Sequence, residues 1–373
     1  MAINRIEIKN FLVFKGNFTA EFCPGINVLI GGNATGKTTL LKTMYLLVSQ
    51  PAKIFNDLNS QKAYCGAVED LYHEGAVYEG ALGGLSCFSE IVPCISDSTL
   101  ININNNSIII DGDGVERNNT PIIKQDGIGE DTVVGHHRHE MKKTASYQIG
   151  HAENAVYIPE KDILEHAKGL LTFIDEKQTG FSQIYREVLV KSYDTPTQNQ
   201  TETQKMVGEK IVGVIGGNIQ WVPGDGVFYT VRTDGKRIPF AYEASGYKKL
   251  GFLGLLVTNG QLENGSVLFW DEPENSLNPE LVPVLVDILL ALARNGVQIF
   301  LATHNYHLAR YFDVRKDKSV PVMFHNLSQA DDGQIICRSS PEYMKLPDNL
   351  LEKAGEDLFD AVVANAMGVR NDE

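Results

Sequence analysis

The residues with the clearest capacity for chemistry form a glycine-rich run near the start of the chain. The spacing Gly31-x4-Gly36-Lys37-Thr38 matches the P-loop pattern, in which backbone N–H groups at a helix N-terminus surround phosphate oxygens. Lys37 would neutralise phosphate charge, and the Thr38 hydroxyl would be a ligand of Mg²⁺. We expect the whole run to bind the nucleotide phosphates: Gly31, Gly32, Asn33, Ala34, Thr35, Gly36, Lys37, Thr38 and Thr39.

Two adjacent carboxylates, Asp271 and Glu272, follow the apolar run 267–270. Parallel α/β sheets bind ligands at the C-terminal ends of their strands, so this pair predicts a Walker B element. Asp271 would hold Mg²⁺, and Glu272 would orient and deprotonate the attacking water. The alternative is a surface Asp-Glu turn after a buried strand, and the P-loop upstream favours the catalytic interpretation.

Three further stretches match one class of ATPase in their order and spacing. The sequence Glu243-Ala244-Ser245-Gly246-Tyr247-Lys248 ends before Asp271 and resembles the LSGGQ-type signature of ABC-class ATPases. Asn278, just after the acidic pair, lies in a stretch that resembles their D-loop. His304, at the end of a predicted strand, resembles their switch histidine.

The opening from Ile6 to Phe14 reads I-x-I-x-N-F-x-x-F. Together with the motifs above, it resembles the RecF/SMC/OLD-like branch of ABC ATPases, in particular stand-alone bacterial AAA-family ATP-binding proteins. The resemblance covers most of residues 1–48 and 156–310. It implies an α/β fold: a P-loop NTPase core of ABC type with an inserted antiparallel β subdomain and a helical lobe that includes the signature. It also implies a head-to-tail homodimer, in which Ser245 and Gly246 of one protomer contact the γ-phosphate held by the other.

The chain departs from this family in three respects. The corner at residues 157–161 has Glu160 where the family usually has glutamine, so either Glu160 substitutes for it or the correspondence lies elsewhere. The stretch between Lys37 and Ser245 is too short for the long coiled-coil arms of chromosome-structuring relatives. The residues after His304 contain no obvious acidic cluster of the kind that forms the nuclease half of OLD-family enzymes.

Hydrophobic spacing places these motifs on alternating strands and helices. We expect a strand over 26–30, a helix over 38–48, helical spacing over 161–193, an exposed loop over 195–204, β-hairpins up to about residue 240, and a strand-helix alternation from there to His304. This predicts five units: the first part of the ATPase core (1–65), a β-rich insertion (66–155), a helical lobe with hairpins and the signature (156–258), the second part of the core (259–335) and a C-terminal extension (336–373).

Charge and hydropathy limit the range of partners. The chain has 33 Lys and Arg against 47 Asp and Glu, a net charge of −14, which disfavours a surface that binds nucleic acid or anionic lipid throughout. The sequence has no apolar segment long enough to cross a bilayer and no targeting segment, so we expect a cytoplasmic protein. Lys142-Lys143 and Lys248-Lys249 could still contact DNA phosphates. The histidines at 136, 137 and 139 are of a metal-ligand type but lack a recognised spacing.

The expected reaction is hydrolysis of ATP, with Mg²⁺ as cofactor. Lys37, Glu272 and His304 are the expected catalytic residues, and Thr38 and Asp271 the expected metal ligands. One hypothesis is that the ATP-driven homodimer controls a separate effector or accessory protein, such as a nuclease or toxin of a bacterial defence system. The alternative is a repair or maintenance ATPase that clamps nucleic acid directly.

Overall fold

The computed structural model describes residues 2–49, 99–103, 106–111, 122–124, 154–177 and 183–367. Within them the strands are β1 (Arg5–Phe11), β2 (Phe14–Glu21), β3 (Ile26–Gly31), β4 (Thr99–Ile103), β5 (Asn106–Asp111), β6 (Ile122–Lys124), β7 (Ala155–Ile158), β8 (Gly217–Val222), β9 (Val227–Arg232), β10 (Arg237–Pro239), β11 (Val267–Asp271), β12 (Gln298–Ala302), β13 (Val322–Gln329) and β14 (Ile335–Ser340). The α-helices are α1 (Lys37–Ser49), α2 (Ala167–Lys177), α3 (Gln183–Ser192), α4 (Glu202–Ile215), α5 (Ser245–Thr258), α6 (Val282–Arg294), α7 (Tyr306–Arg315) and α8 (Leu350–Ala366).

A six-stranded sheet in the order β14-β13-β3-β12-β11-β7 forms the centre of the fold. The five strands from β13 to β7 are parallel, and β14 pairs antiparallel at the edge. Every residue of β3, β11 and β12 is buried, as expected when both faces of a parallel sheet are covered. The predicted mixed α/β fold with a parallel-dominated core is confirmed.

Alternate side chains of the central strands enter two different hydrophobic cores. Phe269 and Phe300 stack with ring centroids 5.2 Å apart and pack with α1 and the β1–β2 hairpin on one face. Trp270 and Leu301 point to the other face, where they pack with the helices that follow the signature and Walker B. The P-loop helix and the helix of the predicted signature therefore lie on opposite faces of the same sheet.

A second, antiparallel sheet has the order β2-β1-β4-β5-β6. Its strands β4 to β6 come from the predicted insertion and continue the hairpin at the start of the chain, with Ile6 paired to Ile103. The other predicted features of that region, including the histidines at 136–139 and the Lys142-Lys143 pair, lie outside the described residues. The division into five units stays a prediction.

The helical lobe contains one helix that the sequence interpretation missed. Residues 195–204 were expected to form a loop, but α4 begins at Glu202. Thr201 and Gln204 form a capping box, in which each side chain accepts a hydrogen bond from the other residue's backbone N–H. Val207, Ile211 and Ile215 follow at four-residue spacing and are buried, so the expectation of a loop up to residue 204 is wrong at its C-terminal end.

The three-stranded sheet β10-β9-β8 packs beside α4 and confirms the predicted hairpins. At the C-terminal end of the chain, β13 and β14 complete the central sheet. The predicted boundary between core and extension, at residues 335 and 336, therefore falls inside β14. The extension that remains beyond this sheet is mainly α8.

Candidate active site

The P-loop joins β3 to α1 at the C-terminal end of the central sheet. Gly31 has a φ of 141°, and a Cβ atom there would lie 2.1 Å from the Leu327 carbonyl oxygen. Gly36 has a φ of 88°, and a Cβ atom there would lie 2.6 Å from the Val13 Cγ2. Only glycine fits either position, because both the backbone conformation and the available space exclude a side chain.

Lys37 lies inside the loop, where its ammonium group donates to the carbonyl oxygens of Gly31 (3.0 Å) and Gly32 (2.8 Å). The side chain is buried, and burial lowers the pKa of Lys37 to about 8, although the carboxylates of Asp271 and Glu272 act in the opposite direction. An anionic phosphate would stabilise the charged form of this buried amine. The surroundings therefore suit an ammonium group that binds phosphate.

Thr38 and Asp271 meet at the same point, with the Thr38 hydroxyl 2.8 Å from the Asp271 Oδ2. Asp271 is 7 % exposed, and burial raises the pKa of its carboxyl group, while the Thr38 hydrogen bond opposes the rise. Two hard oxygen donors beside a phosphate-binding loop are the donor set that Mg²⁺ prefers. A divalent cation would also stabilise the charged form of this buried carboxylate, so the residues present fit the predicted metal ion.

Glu272 follows β11 in a left-handed conformation, with a φ of 46°. Its N–H group donates to the Ala302 carbonyl oxygen (2.9 Å), and its own carbonyl oxygen accepts from the Lys249 ammonium group (2.9 Å). Because both backbone groups are held, the carboxylate is directed towards His304, whose Nε2 lies 3.7 Å from the Glu272 Oε1. Glu272 and His304 are each about one-third exposed, at 32 % and 36 %.

The surroundings shift the pKa values of both side chains of this pair. Burial raises the pKa of Glu272, and the neighbouring carboxylates of Glu160 and Asp271 reinforce the rise. Burial also lowers the pKa of His304, with a further contribution from the positive charge of Lys37. A carboxylate with a raised pKa next to a neutral imidazole is suited to accept a proton.

One cleft brings together most of the predicted site residues. It is lined by Asn33, Ala34, Gly36, Lys37, Thr38, Thr39, Asp271, Glu272 and His304, with Val13 and Ala302. Ser245 and Gly246 do not line this cleft. Gly246 instead packs on the predicted D-loop of its own chain, where a Cβ atom would lie 3.3 Å from the Ser276 carbonyl oxygen. Asn278 caps the short 3₁₀ turn after it, with its Oδ1 accepting from the Glu280 N–H.

The structure contradicts the suggestion that Lys248 and Lys249 contact DNA. They are 6 % and 4 % exposed. Lys248 forms an ion pair with Glu165, and Lys249 contacts the Glu272 carbonyl oxygen. Both ammonium groups are thus engaged with this chain rather than available to a nucleic acid.

The sequence interpretation also missed the residues that fix the turn containing His304. Glu274 is 9 % exposed, and its carboxylate accepts a hydrogen bond from the Thr303 hydroxyl. The Thr303 hydroxyl oxygen in turn accepts from the Asn305 N–H (2.9 Å). These contacts tie the turn after Walker B to the turn that includes His304. The only signal in the sequence was the Pro-Glu-Asn run after the acidic pair, and the partner of its glutamate, Thr303, follows a different strand, β12.

The described part of the chain has neither a membrane-spanning helix nor a second kind of metal-binding cluster. No helix there is long and apolar enough to cross a membrane. No group of three or more His, Cys, Asp or Glu side chains within those residues is arranged to hold a metal ion.

Comparison with known families relates the chain to AAA ATPases. The model described as "AAA ATPase domain" matches residues 1–123, and the model described as "AAA domain, putative AbiEii toxin, Type IV TA system" matches residues 129–310. The structure of an SMC head bound to the C-winged helix domain of ScpA is similar in fold, with a TM-score of 0.51 at 12 % identity over 91 % of this chain and 98 % of that chain.

Curated relatives match short segments. The DNA replication and repair protein RecF of Streptococcus uberis (strain ATCC BAA-854 / 0140J) is 45 % identical over 47 residues, which is 13 % of each chain. The L-cystine import ATP-binding protein TcyN of Bacillus subtilis (strain 168) is 31 % identical over 91 residues, 22 % of this chain and 35 % of that protein. The chain therefore spans well under half of the curated relatives it matches. The two family models together match most of the chain, which is therefore an AAA-type ATPase with a P-loop core, and its fold is similar to that of an SMC head.

Proposed function

We propose that the chain hydrolyses ATP at composite sites in a head-to-tail homodimer. The observation that carries this proposal is the separation of two sets of residues. Phosphate, metal and water-activating groups share one cleft, whereas the exposed Ser245 and its neighbour Gly246 lie beside the D-loop and do not line that cleft. A second copy, related by two-fold symmetry, would bring its Ser245 and Gly246 to the P-loop of the first, and the same operation completes the other site.

Within the cleft each group has a distinct role. The P-loop amides and Lys37 would bind the β- and γ-phosphates, with Thr39 at the α-phosphate end. Thr38 and Asp271 would hold Mg²⁺, which neutralises phosphate charge when bound. Glu272 would orient the attacking water and accept its proton, and His304 would contact the γ-phosphate from the next strand. Most of the rate enhancement would be positional and electrostatic.

Subunit complementation tests the composite site. Lys37→Ala damages the P-loop, and Ser245→Arg places a large cation on the signature tip, so each variant alone should be nearly inactive. Random pairing of equal amounts makes half of the dimers mixed, and each mixed dimer has one intact site of two. The mixture should therefore recover about a quarter of the wild-type ATPase rate per protomer.

The complementation experiment has a clear opposite outcome. If a single chain hydrolyses ATP with its own residues alone, Ser245→Arg will retain full activity, and mixing will add nothing. Val314→Arg is the matched control, because Val314 is 72 % exposed on α7 and outside the cleft. It should keep wild-type activity.

We further propose that the dimer acts as an ATP-dependent switch for a separate effector protein. Support comes from the match to the family model whose description mentions a putative AbiEii toxin and a type IV toxin–antitoxin system, which favours a role in bacterial defence. Glu272→Gln should trap the ATP-bound dimer, measured by light scattering with ATP and Mg²⁺. An effector should co-purify with this trapped dimer and leave when ATP is removed, and equal recovery with and without ATP would contradict a switch.

A further inference from the structure

A buried carboxylate lies directly before the signature helix. Glu243 is 9 % exposed, and its Oε1 accepts a hydrogen bond from the Ala244 N–H at 3.2 Å. Ala244 is the N-cap residue of α5, and no side chain caps that helix end. The negative charge is therefore held against the N-terminal turn that presents Ser245 and Gly246.

One arginine side chain neutralises this carboxylate. Arg232, at the end of β9, has its NH2 atom 3.0 Å from the Glu243 Oε1 and 2.8 Å from the Oε2. The side chains of Arg232 and Glu243 are 23 % and 5 % exposed, so water screens the pair only in part. Both carboxylate oxygens lie near the same guanidinium nitrogen, which donates a hydrogen bond to Oε1 and is in close ionic contact with Oε2.

The same guanidinium group connects three elements of the lobe. Its NH1 atom donates to the Ile215 carbonyl oxygen at the end of α4. The backbone of Arg232 pairs with Gly217 of β8. The next residue, Thr233, donates from its N–H to the Gly216 carbonyl oxygen (3.1 Å). Arg232 thus ties the hairpin sheet and the end of α4 to the residue that precedes the signature.

The charge of Glu243 has a consequence for a phosphate bound at the signature. A helix N-terminus attracts anions, but an uncompensated carboxylate in the same turn repels them. We propose that Arg232 is a positioning residue for the composite site: it holds and neutralises Glu243, so that the tip of α5 can accept the γ-phosphate bound to the other protomer. This inference rests on the proposed head-to-tail dimer.

The two single variants distinguish a role of the charge from simple structural support. If the charge matters, only the loss of Arg232 should weaken dimerisation. Arg232→Met leaves the carboxylate unneutralised, so ATP-dependent dimerisation should weaken by about tenfold, within the usual range of coupling between sites. Glu243→Gln removes the negative charge but keeps an oxygen that can accept the Ala244 N–H, so dimerisation should be unchanged or tighter. The double variant should return to within about threefold of the parent. A merely structural pair would weaken dimerisation in all three variants.

The experiment uses full-length protein in the Glu272→Gln background, with light scattering at increasing ATP concentration. Binding of a fluorescent ATP analogue to the monomer reports on the P-loop separately. The affinity for this analogue should be the same in all of the variants. Arg237→Met is the matched control, since it removes an exposed arginine from β10 of the same sheet. It should dimerise like the parent.

The outcomes separate this inference from the proposed function. If the Glu272→Gln parent itself stays monomeric at saturating ATP and Mg²⁺, the composite dimer is refuted. If the parent dimerises and Arg232→Met dimerises equally well, or Glu243→Gln weakens dimerisation as much as Arg232→Met, the role of Arg232 is refuted. If Arg232→Met does not fold, Glu243→Gln and Arg232→Lys still test the role of Arg232. Dimerisation of Arg232→Lys should be weaker than that of the parent but stronger than expected for a neutral substitution.

Discussion

Replacing His325 should remove a large part of the pH dependence of stability. His325 lies on β13 and is completely buried. Asn27 of the neighbouring strand accepts the Cys23 N–H with its Oδ1 and donates to the Cys23 carbonyl oxygen with its Nδ2, which fixes the orientation of its amide. The His325 Nε2 lies 3.1 Å from that Oδ1, so Nε2 has the proton and donates. Nδ1, 2.7 Å from the Ser339 hydroxyl, then accepts from it, and the ring is neutral.

Burial lowers the pKa of His325 to about 3, against about 6.5 for an unfolded chain. Below pH 6.5 the unfolded state therefore binds a proton that the folded state excludes, and stability falls as the pH falls. The full gap corresponds to about 5 kcal/mol, most of it lost between pH 6.5 and pH 3. At pH 5 the loss relative to pH 8 should be about 2 kcal/mol, and at pH 4 about 3 kcal/mol.

Urea unfolding at pH 8 and pH 5 measures this difference. The chain has two tryptophans, and a Trp221→Phe background leaves Trp270, buried in the same central sheet, as the fluorescent probe. His325→Gln keeps a donor and an acceptor but does not titrate, so its free energy of unfolding should depend less on pH by about 2 kcal/mol. The contributions of other titrating groups to the free energy of unfolding cancel when the two proteins are compared at each pH.

A matched variant separates the charge from the hydrogen bond. Ser339→Ala keeps the imidazole and should lower stability by about 1 kcal/mol at both pH values, with the pH dependence unchanged. If His325→Gln and the parent lose the same free energy between pH 8 and pH 5, the histidine is not excluded from protonation, and the reasoning fails.

Three further predictions concern the site and the lobe. Gly36→Ala should lower nucleotide affinity by at least about tenfold in calorimetry, because its φ is 88° and a Cβ atom would meet Val13; an unchanged affinity would mean that the loop adapts. Lys249→Met removes the hydrogen bond to the Glu272 carbonyl oxygen and should lower kcat by about tenfold or more with little change in KM. A lower thermal stability together with a changed KM would instead indicate general damage. Thr201→Ala should lower the free energy of unfolding by about 1 kcal/mol, since it removes half of the α4 capping box, and Thr203→Ala in the first turn is the control.

The site could be predicted where its chemistry is local in sequence. The P-loop needs only its own glycines, Lys37 and Thr38, and the next two groups each follow an apolar run directly. Because β3, β11 and β12 are parallel and adjacent, their C-terminal ends meet at one edge of the sheet. Three separate motifs, at Lys37, Glu272 and His304, therefore converge on one cleft without any further information from the sequence.

The lobe shows how a correct local signal can be outweighed. The stretch before α4 is polar and contains Pro196, which favours a loop, and its exposed side chains confirm that up to Thr201. The capping box and the four-residue spacing of Val207, Ile211 and Ile215 were present in the sequence. A polar composition describes the solvent-facing side of a helix start as well as it describes a loop, so composition alone cannot place the boundary.

The features that sequence could not supply all depend on contacts between distant residues. β13 contains His325 and Asn326, which interrupt an apolar pattern but are buried, because Asn27 and the carbonyl oxygens of Pro347 and Asp348 satisfy them. Lys248 and Lys249 look like a solvated basic pair until Glu165 and the Glu272 backbone are brought beside them. A buried polar group is stable only with its partner, and the partner is a property of the fold rather than of local spacing. For the same reason, the charge pair of Arg232 and Glu243 becomes visible only once the end of β9 is brought beside the residues that precede α5.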